Sequence, residues 1–395
     1  MLLSSVLEGV VHFFIRTRVL WLPAAFFFVF WKLWLYYIRS KFLRNINWTL
    51  FEIKLPREIA KSPQAMEVVL NSIYITKDGN LIEKYWQGFL RPWFSLEIVG
   101  INSEVRFFVY TWKIYKNLIE NQIYSQYPDV EIADVDDYSK LSFPIEDFNK
   151  EWGCFGTEYA LTAEDPYPIK TYIDYGLHQT MTKEEQKIDP LTSLIEVMGS
   201  LKEGEQLWMQ ILIKATAKKW KDEGKKVVEK IIKEKEGGSG KDKVDMGAFK
   251  LSPGERLVIE AIERDVSKLG FDIGIRQIYL ARNDRFSAVN IPSMIAAMRQ
   301  YNAVNLNGFR PARATSLDYP WQFKKLREPG MKRRMVEAYR SRSYFYMNWF
   351  SGRLPFVLNT EELATIFHFP GRVAETPTFG RIEARKSEAP PNLPI

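Results

Sequence analysis

A phosphate-binding loop is the chemistry most nearly spelled out in this sequence. The stretch KEKEGGSGKDK at 233–243 holds Gly240-Lys241, the centre of a Walker-type loop in which backbone amides wrap phosphate and a Ser/Thr hydroxyl ligates magnesium. The rest of the pattern is missing. Lys235 stands where the first glycine belongs, Asp242 where the hydroxyl belongs, and the preceding residues 218–235 are rich in lysine and glutamate rather than forming a buried strand. Gly224-Lys225, followed by Lys226, fails in the same way. Gly237–Lys241 therefore reads as a flexible hinge between charged segments, with Lys241 a solvated linker residue.

Acid–base chemistry would need carboxylates or histidine in a pocket. The acidic run DVEIADVDDY, with Asp134, Asp136 and Asp137, reads as a solvated strand end. Histidines occur only at 12, 178 and 368, and Cys154 is the single cysteine, so no intrachain disulfide can form and no soft metal cluster is spelled out. Nucleophile-elbow, zincin and dinucleotide-binding signatures are missing as well. The expectation is a non-enzymatic chain with no catalytic residue, cofactor or metal ligand.

Binding chemistry is better represented. Between Arg310 and Arg353 stand eleven basic residues against three acids, a net +8 that exceeds the +7 of the whole chain. The candidate partner-binding or nucleic-acid-binding residues are Arg310, Arg313, Lys324, Lys325, Arg327, Lys332, Arg333, Arg334, Arg340 and Arg342, interleaved with Tyr319, Trp321, Phe323, Tyr339, Tyr344, Tyr346 and Trp349. Such a mixture suits phosphate backbones with stacked bases, an acidic protein face, or anionic lipid; a merely solvated positive surface is the plain alternative.

The elements that must carry these residues begin with a membrane segment. Residues 19–38, VLWLPAAFFFVFWKLWLYYI, carry one charge in twenty, and as a helix would span about 30 Å, one bilayer core. Trp21, Trp31, Trp34, Tyr36 and Tyr37 lie toward its ends as interfacial anchors. Arg39, Lys41 and Arg44 outnumber Arg16 and Arg18 across it, which predicts a single-pass inner-membrane protein with its bulk in the cytoplasm. The apolar residues before it read equally as an interfacial helix or a second, poorer span.

The soluble part reads as α+β. In 46–150 the order is β-α-β-β-α-β: a helix capped by Ser62-Pro63, a hairpin turning at Asn102-Ser103, a second helix stopped by Pro128, and a closing strand DVEIADV. That is the ferredoxin-like, split βαβ order. In 151–305 a looser second unit follows, with a strand at IKTYIDYG, a helix capped by Asp189-Pro190, a strand EQLWMQILIKATA, and a charged helical insertion with its Gly-rich loop at 217–250. A capping box at Ser252 and a strand FDIGIRQIYLAR complete it. Residues 1–45 form the anchor, and 306–395 a basic, partly helical region with a proline-rich tail.

Several blocks, among them FEIKLPREIAKSPQAMEVVLNSIY, GIRQIYLARNDRF, NLNGFRP and VLNTEELATIFHFPG followed by APPNLPI, resemble the membrane-anchored N-terminal region of bacterial proteins related to type IV secretion and conjugative transfer ATPases of the HerA/FtsK superfamily. In that family a proline-rich exit leads into the ATPase domain, whereas this sequence ends at Ile395 where such a domain would start. The resemblance implies a scaffold tying a motor ATPase, as a separate chain or a further domain, to the membrane. DNA and self-association are further partner expectations. Leu363, Ile366 and Phe367, the apolar face of a short helix capped by Asn359 or Thr360, are the candidate ATPase-docking residues, with packing against the chain's own domain as the plain alternative.

Overall fold

The computed structural model describes residues 16–56, 59, 61–143, 148–178, 188–217, 219–236, 251–317, 319, 321, 323–346 and 355–371. The hinge at 237–241, the proline-rich tail, Trp349, Arg353, His12 and the N-terminal apolar stretch lie outside the described residues. Contacts divide the chain into two units, residues 1–47 with 77–91, and residues 48–76 with 92–395.

The first unit is built on α1 (Arg18–Arg44), 27 residues long and about 40 Å from end to end. Its side chains from Phe26 to Phe30 are exposed, and it is long and apolar enough to cross a membrane.

The second unit is an α+β assembly around one antiparallel sheet. β1 (Trp48–Lys54) leads to α2 (Pro63–Ser72). In the first unit α3 (Leu81–Tyr85) follows, and the chain then returns as β2 (Phe94–Ile101), β3 (Glu104–Trp112), α4 (Lys116–Gln126) and β4 (Glu131–Asp134). The β2–β3 hairpin turns where expected, on Asn102 and Ser103, whose φ angles of 50° and 67° give the left-handed pair that matches strand twist in a two-residue hairpin. Two short helices, α5 (Tyr138–Leu141) and α6 (Phe148–Glu151), precede β5 (Trp152–Leu161). Then come α7 (Pro190–Gly199), β6 (Glu205–Ala215), the helical pair α8 (Trp220–Glu236) and α9 (Pro253–Ser267), β7 (Gly270–Arg282), α10 (Asn290–Met298) and β8 (Phe309–Ala314). The chain closes with α11 (Lys324–Arg340), β9 (Phe356–Asn359) and α12 (Thr360–Ile366).

The strand order is β4-β1-β3-β2-β6-β7-β5-β8, with β9 added beside the start of β7. The sheet runs unbroken through the boundary expected at residue 150, because β2 pairs with β6 over eight residues, Phe94↔Ile213 to Ile101↔Gln206. The C-terminal region is not a separate body either: β8 pairs with β5 and β9 with β7. One face of the sheet carries α2, α4, α7, α10 and α12 over a large apolar core that includes Phe51, Phe107, Ile211, Ile275 and Leu363. The opposite face carries α5, α6 and α11 over Phe108, Trp208, Ile278 and Tyr339.

Covering both faces explains why β2, β6 and β7 read as nearly continuous apolar runs instead of alternating with polar residues. The α8–α9 pair forms its own small core from Trp220, Val227, Ile262, Val266 and Val357.

One expected strand is absent. IKTYIDYG is a turn region, because side chains claim its backbone N–H groups: Ile169 donates to Glu362, Tyr172 to Thr365, and Thr171 to Asp174, at 2.8–2.9 Å. The strand opening this half is β5, eight residues upstream of that stretch, where glycines at 153 and 156 dilute the pattern in the sequence. Both are there for space: a Cβ on Gly153 would lie 2.6 Å from the Phe286 ring, and one on Gly156 2.8 Å from Met335.

Candidate functional site

The basic segment is divided by α11 into an exposed end and a buried end. Residues 323–327 are all exposed, with Leu326 at 82% and Phe323 at 70%. Phe323 also sits at φ 54°, a left-handed conformation that costs a bulky residue energy. Beside it the rings of Tyr319 and Trp321 stack with centroids 4.5 Å apart. Lys324, Lys325 and Arg327 share this turn, and Arg333 and Arg334 continue the exposed positive face. Lys332 is half-buried, while Arg310 and Arg313 lie exposed on the edge strand β8.

The second half of α11 turns inward. Met335, Val336 and Tyr339 are buried against the sheet, at the i, i+1, i+4 positions that share one helix face. Arg340 donates to the Phe143 carbonyl at 2.7 Å and covers that ring at 4.4 Å. Arg342, expected at a binding surface, is fully buried. Arg340 and Arg342 therefore serve the protein's own interior.

Arg342 anchors a lattice of buried charge. Its guanidinium binds both oxygens of Glu97, at 3.0 and 3.1 Å, and both oxygens of Asp137. Its φ of 47° is again left-handed, and its own carbonyl accepts from Trp93 Nε1 at 3.2 Å. Across the strands the lattice follows one row: Glu97 opposes Gln210, Gln210 opposes Arg276, and Arg276 opposes Glu158. Gln210 donates to Glu97 at 2.9 Å and to the Tyr339 carbonyl at 3.2 Å. Arg276 donates to Gln210, Glu158 and the Ser343 carbonyl at 2.9–3.2 Å. The end of α11 and the chain after it are thus pinned to the middle of the sheet, at residues 339, 342 and 343. Tyr344 completes the seat, lying so close over Gly274 that a Cβ there would come within 2.5 Å of its ring.

The electrostatics of the lattice follow from this burial and its ion pairs. Burial would lower the Arg342 pKa, but Glu97, Tyr138 and Asp137 outweigh it and hold the guanidinium well above its ordinary value. Burial pushes the Asp137 carboxyl up, and Arg342, Ser139 and Lys140 more than reverse this, keeping it below the usual carboxylate range. Burial and the Glu97 charge push the Tyr138 hydroxyl well up, so it stays a donor to Glu97 at 2.8 Å. Of the acidic run, Asp137 is thus a lattice member rather than a solvated turn residue, whereas Asp134 pairs with Lys116 at the surface.

The other sheet face holds a second polar cluster around α12. Asn359 is the cap, its side chain accepting from Glu362 N while Glu362 accepts from Asn359 N, each at 2.8 Å. Leu363, Ile366 and Phe367, expected as a docking face, are fully buried in the main core. A helix with all seven residues buried has no face left to offer a partner. Lys268 bridges Glu67 at 2.7 Å and Glu361 at 2.9 Å. Burial, reinforced by neighbouring acids, pushes the Asp265 carboxyl well up and Glu362 to about 8, which favours the protonated form at this pair. His368 bonds Asp189 at 3.0 Å; burial lowers its pKa, and Asp189 with the Ala364 and Thr365 carbonyls raises it beyond the ordinary value. Among the described residues no cluster has the makings of a metal site.

Sequence reasoning missed Glu97, Glu158, Gln210 and Arg276. Their signal was a lone polar residue inside an apolar strand, as in SLEIVG, LWMQILI and DIGIRQIYL. A buried charge needs a partner, which such an interruption demands without naming.

No curated protein matches this chain. A family described as a domain of unknown function, DUF8128, matches residues 44–381, and the chain belongs to that family.

Proposed function

We propose that this member of the DUF8128 family is a membrane-anchored, non-enzymatic scaffold that holds a HerA/FtsK-type ATPase at the cytoplasmic face of the inner membrane, in a type IV secretion or conjugation-like machine. The observation that carries the scaffold reading is the division of α11. Its first turn offers Phe323, Lys324, Lys325, Leu326 and Arg327 to solvent, while its far end is fixed by buried ion pairs to Glu97 and Asp137. An exposed aromatic and basic turn, carried on a helix whose far end is pinned, suits a partner with an acidic, partly apolar face. The motor as partner comes from the resemblance of the sequence blocks. Finer architecture agrees with it: the order β4-β1-β3-β2, followed by its mirror β6-β7-β5-β8, supports two ferredoxin-like units joined edge to edge.

Nucleic acid is the second reading, favoured by the Tyr319–Trp321 stack beside Lys324 and Lys325. It predicts single-strand binding that weakens steeply with salt.

Co-purification of the full chain in mild detergent separates the two. The scaffold reading expects a HerA/FtsK-type ATPase among the bound proteins, lost on the combined change Lys324→Glu, Lys325→Glu and Arg327→Glu. Membranes that contain such an ATPase yet yield none with the wild-type chain would overturn it.

A further inference from the structure

The segment Lys77–Arg91 belongs with α1 rather than with the sheet, and it is built onto that helix in detail. Trp34 Nε1 donates to the Tyr85 carbonyl at 2.9 Å. Ring centroids of Trp31 and Tyr85 are 5.7 Å apart, those of Trp34 and Trp86 5.6 Å, and those of Phe42 and Phe89 5.6 Å. Gly88, at φ 73°, brings backbone against backbone, since a Cβ there would stand 2.4 Å from the Ile38 carbonyl oxygen. The segment is also internally closed. Asn80 and Glu83 form a capping box on α3, and Arg91 and Lys84 both pair with Asp78.

A clamped, self-satisfied element ordinarily hides its apolar side chains, yet here three large ones point out. Leu81 is 73% exposed, Ile82 62% and Trp86 66%. They are held beside residues 31–42 of α1, where Trp31, Trp34, Tyr36 and Tyr37 supply the aromatic girdle that marks a bilayer–water boundary. Arg39, Lys41, Arg44 and Lys77 lie in the same unit and outnumber the acids Asp78 and Glu83, a positive complement to anionic headgroups.

We infer that Leu81, Ile82 and Trp86 insert into the headgroup region of an anionic bilayer, so that the chain touches the membrane at a second element besides α1. This rests on the reading of α1 as a membrane-spanning helix. Insertion at this level fixes how deep α1 sits and resists its rotation, because the clamped segment can meet lipid from one side only.

The test places an environment-sensitive fluorophore on the full chain reconstituted into phosphatidylcholine–phosphatidylglycerol vesicles, at Ile82→Cys, at Val29→Cys within the span, and at Leu257→Cys on the exposed side of α9. Cys154 is buried, which confines labelling to the introduced thiols. Lipids carrying a nitroxide near the headgroup are expected to quench the Ile82 probe strongly, lipids carrying it deep in the chains to quench the Val29 probe, and neither to quench the Leu257 probe. An Ile82 probe as open to aqueous iodide as Leu257, with Val29 still quenched by lipid, overturns the inference and leaves the span standing. An Ile82 probe shielded from both lipid nitroxide and iodide points to a protein contact and also overturns it. A Val29 probe unreached by lipid removes the span, and the inference with it.

Discussion

Replacing Arg342 with leucine removes the cation shared by two carboxylates beneath α11. Glu97 is fully buried and Asp137 largely so, and breaking a buried pair from one side costs about 3–5 kcal/mol. Backbone strain does not enter the difference, because φ 47° is equally unwelcome to arginine and leucine. With ~2.1 cal/mol/K of unfolding entropy per residue over about 350 residues, a 4 kcal/mol loss lowers Tm by about 5 °C. The pH dependence has a defined sign. In the wild type the Asp137 pKa is depressed, so its contribution is present above its unfolded value and is lost as pH falls through the folded one. In the variant Asp137 keeps its burial but loses Arg342, the cation that outweighed it, so its carboxyl rises, and its deficit is full at high pH and disappears as it takes up a proton. Both effects shrink the difference between the proteins on acidification from about pH 7.5 to about pH 3.5, below the ordinary carboxylate value. Thermal unfolding of the full chain in detergent, followed by tryptophan fluorescence, measures it. A deficit below about 1 kcal/mol, or one unchanged by acid, would refute the lattice as described.

Other expectations follow from the same structure. Gly274→Ala pushes a methyl into the Tyr344 ring and should cost about 1–3 kcal/mol, with faster tryptic cleavage near Arg340 and Arg342. Glu362 has its pKa raised to about 8, so its stabilising share is complete below the unfolded value of 4.5 and is lost as pH rises through about 8. Denaturation across that range should show the wild type losing about 1.4 kcal/mol per pH unit relative to Glu362→Gln. The combined change Lys324→Glu, Lys325→Glu and Arg327→Glu replaces exposed side chains, Lys324 among them paired at 3.7 Å with Glu328, and should leave Tm nearly unchanged, within about 0.5 kcal/mol per site, which makes it a usable probe of partner binding.

Local signals in the sequence were strong wherever a short-range device set the structure. Ser62-Pro63, Asp189-Pro190 and Ser252-Pro253 all start helices, and Asn102-Ser103 turns a hairpin. Long-range pairings were not legible. Nothing near IKTYIDYG announces that Thr365 and Glu362, almost two hundred residues away, take its N–H groups. The candidate site divided along the same line. Charge and aromatic content picked out residues 310–342, but which arginines face solvent depends on where α11 packs. Arg333 and Arg342 look alike in sequence; one lies on the outer face and the other is held by Glu97, 245 positions away. Leu363, Ile366 and Phe367 were left open between a partner and the chain's own core for the same reason, since a short amphipathic helix reads identically whichever covers it, and here the core does.

The most direct test of the scaffold account is binding of the co-purified HerA/FtsK-type ATPase to the full chain held in nanodiscs, wild type against the Lys324→Glu, Lys325→Glu and Arg327→Glu variant. The account predicts tight binding by the wild type and at least about tenfold weaker binding by the variant, a loss of about 1.4 kcal/mol or more, with both proteins equally stable. Equal affinity for the two chains, or an ATPase that ignores both while single-stranded DNA binds the wild type alone, would contradict it.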